Sequence, residues 1–342
     1  MKLAKTAKNP RFIIFIIFII FFLFGFTLYH NIQKNSQYSV KHEKFDIYLI
    51  ADLDKKSKQD TPKPSWRSYL KTGTLMRNKD SDTYSLTWKE EHLLESRLGE
   101  GGRGMELSEL ILWNKMLLAF DDRSGIVFEV HNGQVIPRYI LSTGNGYSQK
   151  GFKSEWATIK DGDLYVGSHG FEWRKDGKID NYDCSFIKKI SKNGKIEHIN
   201  WKSNYDALRE ATNSIAPGYQ AHEAVGWNEK YKRWYFLPRK ISSEIYEEEK
   251  DETQASNKLI SVDNKFKNVM VEEIGEYDNT KGFSSFKFIP SSPDEMIITK
   301  SLEVGDKTES YIMIVNFITK KILLPLTKFA DEKYEGVEII PQ

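Results

Sequence analysis

Residues 115–141 read KMLLAFDDRSGIVFEVHNGQVIPRYIL. Three short runs, 115–121, 126–131 and 135–141, are rich in the β-branched, aromatic and aliphatic residues that suit a pleated, half-buried surface. Asp121-Asp122-Arg123-Ser124-Gly125 and His131-Asn132-Gly133 separate them. Turn residues at such short intervals predict an antiparallel meander and leave no room for helix.

The same grammar continues in both directions. Strand-like runs occur at 45–51, 83–88, 109–113, 157–160, 164–168, 186–190, 234–238, 258–262, 286–289, 296–300, 311–317 and 321–324. Further turn signals fall at Lys160-Asp161-Gly162-Asp163, Lys175-Asp176-Gly177 and Lys192-Asn193-Gly194. Helices are few: residues 204–212 (NYDALREAT) are the best, and 90–97 read as a second. A loose unit recurs after a turn, beginning at Lys115, Asp163 and Lys232, at intervals of 48 and 69 residues. Many short, evenly spaced strands fit a sandwich, a barrel or a propeller. The 298 residues from 45 to 342 are long for one sandwich, and no shift in composition divides them. Five propeller blades of roughly 60 residues each would fill that length.

The 342 residues are 39% hydrophobic and 29% charged, which excludes a disordered or coiled-coil chain. The net charge of +2 is unevenly spread. Lys2, Lys5, Lys8 and Arg11 precede a run without charge, FIIFIIFIIFFLFGFTLY at 12–29, so the remainder is mildly acidic. A general nucleic-acid binder is not expected. The 18-residue run is about the minimum for a membrane-crossing helix and longer than a signal-peptide core. No small-residue cleavage site follows, so an uncleaved signal anchor is favoured over a cleaved signal. The basic flank places residues 1–11 in the cytoplasm, with 30–44 as a stem and 45–342 in the lumen or outside the cell. The single cysteine, Cys184, rules out an intramolecular disulfide and a Cys-based zinc site. No Asn-x-Ser/Thr sequon is present.

Acids recur beside Gly, Ser or aromatic residues at the ends of the runs. Glu109, Glu155, Glu223, Ser284 and Glu335 follow one another at 46, 68, 61 and 51 residues, roughly one blade each. Singly, each is an ordinary solvated turn residue. On successive inner strands they would converge on one channel, where carboxylates repel unless a cation lies among them. Oxygen donors without Cys or a His pair suit Ca²⁺ or Mg²⁺, and a roomy carboxylate–hydroxyl cage suits Ca²⁺ better. Asp52 and Asp54 straddle Leu53 at a strand end, where two carboxylates can bind metal or activate water. A lone D-x-D is equally an ordinary turn. Gly101-Gly102-Arg103-Gly104 can bring N–H groups and a guanidinium to phosphate, but lacks a P-loop Gly-Lys-Ser/Thr. Arg239 is a second phosphate candidate. His222 reads as structural, 244–251 as a solvated acidic loop, and most Trp as blade packing.

Together these segments resemble the soluble calcium-activated nucleotidase family, which includes salivary apyrases of blood-feeding arthropods and a vertebrate Golgi/ER nucleoside diphosphatase. The resemblance runs from about residue 45 to 340. It rests on IADLD (50–54), LESRLGEGGRGMELSEL (94–110), DDRSG (121–125), KGFKSEWA (150–157), PGYQAHE (217–223), RWYFLPRK (233–240), GFSSFKFIP (282–290) and KYEGVEII (333–340). It implies a five-bladed propeller with Ca²⁺ in the central tunnel, hydrolysing UDP, GDP and in some members ADP or triphosphates. Carried over by position, the cage is Ser108, Glu109, Glu155, Glu223, Ser284 and Glu335. The hydrolytic role falls on Asp54, with Asp52 and Glu95 nearby, and phosphate contacts on Arg103 and Arg239. The chain departs at Gly102, Glu109 and Phe171, where the family pattern carries a basic residue, Asp and Lys. The family further implies a type II protein of the Golgi/ER lumen, or a secreted form after cleavage, and allows a homodimer. The rival classes are a non-catalytic calcium-stabilised propeller and a glycan-directed one.

Overall fold

The computed structural model describes residues 42–175 and 178–340. Its strands in chain order are β1 (His42–Ala51), β2 (Trp66–Asn78) and β3 (Thr83–Ser96), then β4 (Leu107–Trp113), β5 (Met116–Asp121), β6 (Ile126–His131) and β7 (Gln134–Ile140). Next come β8 (Trp156–Lys160), β9 (Asp163–Gly167), a hairpin of β10 (Trp173–Lys175) and β11 (Lys178–Asn181), then β12 (Phe186–Ile190) and β13 (Ile196–Asn200). Helix α1 (Lys202–Ala211) leads to β14 (Tyr219–Asn228) and β15 (Arg233–Ser242). The short α2 (Glu248–Asp251) precedes β16 (Lys258–Asp263) and β17 (Met270–Glu273). The chain ends with β18 (Lys281–Ile289), β19 (Ser292–Val304), β20 (Lys307–Asn316), β21 (Lys321–Ala330) and β22 (Tyr334–Ile340).

These strands make five four-stranded antiparallel sheets. Four are local: β4-β5-β6-β7, β8-β9-β12-β13, β14-β15-β16-β17 and β18-β19-β20-β21. The fifth, β22-β1-β2-β3, joins the two ends of the described chain. Strands β22, β4, β8, β14 and β18 touch one another in that order, and β18 returns to β22, so the sheets are blades of a closed five-bladed propeller. The recurring units at Lys115, Asp163 and Lys232 begin at or beside β5, β9 and β15, the second strand of three blades. An inner strand has a blade on either side, so LSELILW (β4) is buried almost throughout and does not alternate.

The core lies between blades. Five hydrophobic clusters each span one blade boundary. The densest aromatic one packs Trp156 and Trp201 of the third blade and its helix against Trp227 and Trp234 of the fourth. Each large aromatic removes about 150–250 Å² from water, the main stabilising term in a chain whose Cys184 is a buried free thiol.

Residues 90–96 are strand, not helix. They pair with β2 from Lys71↔Glu91 to Trp66↔Ser96, and Leu94 is buried among Trp66 and Leu70. The ladder and that one anchored side chain override the local helix preference of the Glu and Leu residues. Helix α1 matches the expected 204–212 within two residues. The anchor at 12–29 and nearly all of the stem lie outside the described residues. Among those described, no helix is long and apolar enough to cross a membrane.

Closure is tight where β22 meets β4. A Cβ on Gly336 would lie 2.6 Å from the Glu109 Cα and the Leu110 nitrogen, both backbone atoms that cannot turn aside. Gly336→Ala should therefore lower the unfolding free energy by about 1–3 kcal/mol, the usual cost of overpacking. Urea unfolding followed by tryptophan fluorescence measures this, and an unchanged midpoint would refute the tight approach.

Candidate active site

On four of the five inner strands, one residue is extra to the ladder. Leu107 faces Asp121 and Glu109 faces Phe120, so Ser108 has no opposite residue. The same two-against-one pairing isolates Glu223 between His222 and Ala224, Ser284 between Phe283 and Ser285, and Glu335 between Tyr334 and Gly336. On the remaining strand, Glu155 stands just before β8 and donates its N–H to the carbonyl of Gly167, the partner of Trp156, at 2.8 Å. A bulge turns the strand and re-aims one side chain. Here bulges direct Ser108, Glu223, Ser284 and Glu335, and Glu155 joins them from the entry to β8, so that each blade contributes one residue.

Cations lie among these acids. Arg239 is itself an extra residue, on β15 opposite Ala221–His222. Its Nη1 is 2.9 Å from Glu223, 2.9 Å from the Ser284 hydroxyl, 2.6 Å from the Ser301 hydroxyl and 3.6 Å from Glu335. Lys153 contacts Asp122 and lies 2.6 Å from Glu155. Lys333 lies 3.0 Å from Asp52, 2.7 Å from Asp54 and 3.8 Å from both Glu303 and Glu335. Burial pushes the Glu155 carboxyl up to about 7, with Lys153 opposing and Glu223 adding to the rise. Burial likewise raises Glu223 and Glu335, and the charge of Glu223 raises Glu335 further.

Beside this cage, one oxygen each of Asp52, Asp54 and Glu106 lie within 4.8 Å of one another. Arg103 grips Glu106 through both Nε, at 2.7 Å, and Nη2, and reaches to 3.8 Å from Asp54. The Asp54 N–H donates to Asp52 Oδ1 at 2.8 Å. Asp54 (φ 47°) and Met105 (φ 56°) both adopt the left-handed conformation that non-glycine residues avoid. This local strain presents Asp54 and Glu106 from two chain reversals. The two aspartates part in acidity. Burial raises Asp52 well above the usual range, despite Lys333. Burial also works against the Asp54 anion, but Lys333, Lys153 and Arg103 outweigh it and hold Asp54 low. Paired carboxyls with divergent acidity are common where proton transfer is organised.

Two expected members are not brought in. Glu95 lies near the end of β3, exposed, accepting from Gln59 at 2.8 Å. The Glu109 carboxylate accepts from Ser285 at 3.0 Å and pairs with Lys287 at 2.9 Å, so its charge is spent between blades. The His222 ring stacks on Tyr205, and neither of its nitrogens has a hydrogen-bond partner among the described residues. Burial lowers it to about 3, so it is a neutral structural imidazole. Several members went unread: Lys153 and Lys333 lie inside KGFKSEWA and KYEGVEII, while Glu106 and Asp122 border the Gly-Arg loop and a turn. Glu303 carried no sequence signal.

The residues fit a hard divalent cation. The half-buried Glu223, the buried Glu335 and the Ser284 hydroxyl meet around Arg239, Glu155 is buried nearby, and the buried Ser108 Oγ has no partner among the described residues. All the donors are oxygen, as Ca²⁺ prefers. A cavity of about 360 Å³ opens beside the cage, and Lys153, Glu155, Phe171, Glu223, Arg239 and Tyr246 are among its lining residues. That volume lies within the range of small-molecule sites. A larger groove of about 690 Å³, bordered by α1 and β17, holds none of these groups.

Comparison with known proteins agrees with this geometry. The apyrase family model matches residues 53–340. An apyrase of Cimex lectularius is 44% identical over 302 residues, covering 87% of this chain and 83% of that protein. Soluble calcium-activated nucleotidase 1 of Rattus norvegicus is 42% identical over 300 residues, covering 87% and 74%. An apyrase of Phlebotomus duboscqi is 36% identical over 322 residues, covering 93% and 94%. With the matched span running through every blade and both acid groups, the chain belongs to the apyrase family of nucleotide-hydrolysing enzymes.

Proposed function

We propose that this enzyme hydrolyses nucleoside diphosphates, UDP and GDP foremost and ADP or triphosphates in addition, in a calcium-dependent reaction. The observation that carries it is the meeting of a five-blade oxygen cage with an acid–cation cluster at the ring centre. Ser108, Glu155, Glu223, Ser284 and Glu335 would hold Ca²⁺, which offsets the charge of the carboxylates and of the phosphate oxygens beside them. A glycan-directed propeller has no use for Arg103, Lys153, Arg239 and Lys333 set among the acids. A non-catalytic one has no use for a strained Asp54.

In this reading Arg103 and Arg239 clamp the phosphates, with Lys153 and Lys333 adding charge. Asp54, ionised and with an exposed carboxylate, orients a water in line with the terminal phosphorus. The water oxygen bonds to that phosphorus as its bond to the bridging oxygen breaks. The leaving group is the nucleoside monophosphate, and the water proton passes to Asp54 and on to phosphate. Phosphoryl transfer depends chiefly on positioning and charge, so a carboxylate of lowered basicity suffices.

The uncharged run at 12–29 supports a type II anchor that places the propeller in the Golgi/ER lumen, where it would clear diphosphates left by glycosyl transfer. Resistance of the full chain to carbonate extraction, and its loss on deleting residues 1–29, tests the anchor.

Phosphate release from UDP and GDP should require Ca²⁺ and vanish in EGTA. Glu155→Gln should abolish the calcium-induced rise in melting temperature together with activity, and equal turnover in EGTA would sink the cage. Asp54→Asn should lower kcat by about 10²–10⁴, the usual worth of acid–base assistance, while keeping the calcium-induced shift. Because Lys333 holds Asp54 low, Lys333→Met raises its pKa. The active anion is then lost at higher pH, so the acid limb of the kcat/KM profile should move upward; an unmoved limb assigns the anion elsewhere.

A further inference from the structure

Residues 55–65, in the connection from β1 to β2, hold Lys55, Lys56, Lys58 and Lys63 against a single acid, Asp60. All four lysines are exposed, and none makes an ion pair among the described residues. Arg97, just past β3, is exposed and without an ion pair in the same sense. Exposed lysines elsewhere are matched: Lys89 lies 2.6 Å from Asp46, Lys230 2.6 Å from Asp294 and Lys321 2.8 Å from Asp82. The backbone that carries the unmatched group is fixed. Lys58 bridges to Trp66, the Gln59 N–H donates to the Ser65 carbonyl at 3.0 Å, and the Gln59 amide donates to Glu95 at 2.8 Å. Trp66 Nε1 donates to the Gly102 carbonyl at 3.3 Å, which ties in the Gly-Arg loop. Pro62 and Pro64 restrict the backbone on either side of Lys63. A depression of about 560 Å³ lies against this loop, lined by Lys63, Arg97, Glu95 and the hydroxyl residues Thr61, Ser65 and Ser96. The Ser96 hydroxyl accepts from the Leu98 N–H at 3.1 Å and keeps its own proton to donate.

We propose that Lys55, Lys56, Lys58, Lys63 and Arg97 form a docking surface for a sulfated polysaccharide. The cations are spread along a loop and a strand end, so they match an extended polyanion rather than a single phosphate. Sulfate groups meet the lysines and Arg97, and the hydroxyls between Lys63 and Arg97 add partners for sugar hydroxyls. Other polyanions match less well. A nucleic-acid strand is held by stacking its bases on aromatic rings, and residues 55–65 expose none. Stable attachment to lipid adds apolar insertion to charge, and residues 55–65 expose no large apolar side chain. None of the five cations lines the cavity beside the cage. A docked chain therefore holds the enzyme in place without filling its site.

The test uses the intact chain with Ca²⁺ and a size-fractionated heparin oligosaccharide, titrated calorimetrically at several salt concentrations. The same oligosaccharide after chemical desulfation, a single-stranded oligonucleotide of equal charge and phosphatidylserine vesicles are the comparison probes. The heparin oligosaccharide should bind, with an affinity that falls steeply as salt rises, because docking releases its counterions. Lys58→Gln/Lys63→Gln/Arg97→Gln should weaken it by about tenfold, the summed worth of three exposed ion pairs, and flatten the salt dependence. Removing the same charge from exposed lysines on other blades, in Lys192→Gln/Lys265→Gln/Lys267→Gln, should shift the affinity by less than about twofold, since salt screens distant charges. Both variants should keep the wild-type kcat and KM for UDP. The proposal is overturned if the two triple variants lose equal affinity, or if the desulfated chain, the oligonucleotide or the vesicles bind as tightly as heparin. It is also overturned if the first variant raises KM for UDP in step with its loss of heparin affinity, which would make the patch a steering surface for substrate.

Discussion

The pairing of β1 with β22 is the contact on which the active site depends. Asp46 to Ala51 lie against Ile340 to Tyr334, and the Asp52 N–H continues the ladder to the Lys333 carbonyl at 2.9 Å. Asp52 and Asp54 leave β1 at the end of that pairing where Lys333 and Glu335 enter β22. Residues some 280 positions apart in sequence therefore meet in ion pairs of 2.7 and 3.0 Å. The loop-closure entropy of so long a separation grows only slowly with length, and a strand's worth of hydrogen bonds and buried Ile47, Leu49, Val337 and Ile339 offsets it. Ring closure and assembly of the site are one event.

Charge is the second constraint. Asp52, Asp54, Glu106, Asp122, Glu155, Glu223, Glu303 and Glu335 surround Arg103, Lys153, Arg239 and Lys333. Acids outnumber bases two to one, in a region mostly withdrawn from water. Burial raises several of these carboxyls, a sign that the folded protein holds more negative charge than it can comfortably solvate. In the proposed reading such a centre would take up a divalent cation, the surplus acids holding the metal and the cationic side chains the phosphate chain.

Much of this was legible from residue order. Turn residues at short intervals announced β meanders, and the blade-like spacing of Glu155, Glu223, Ser284 and Glu335 marked the inner ring. Bulges were invisible, because two residues opposing one is a property of the ladder rather than of either strand alone. For the same reason Ser108 and Glu109 could not be told apart: adjacent in sequence, one is the extra residue of the ladder and the other turns to Lys287. Glu95 failed as a candidate because residues 90–96 continue the outer strand away from the axis. Lys153 and Lys333 were quoted but unassigned, since a lysine beside an acid in sequence reads equally as a surface pair. Only the fold sets these two among the acids, Lys333 buried and Lys153 half-buried.

The extra residues on the inner strands have an evolutionary consequence. Each cage side chain is aimed by a local departure at its own inner strand, not by the length of the blade behind it. Blades can then lengthen at their outer edges without disturbing the centre, and the intervals between cage residues range from 47 to 68. The third blade shows how: it carries the β10–β11 hairpin as an insertion between its second and third strands, yet Glu155 keeps its place. Variation in what surrounds the cavity is thus uncoupled from the cage itself, and lineages of this architecture are free to remodel the rim while the axis stays constant.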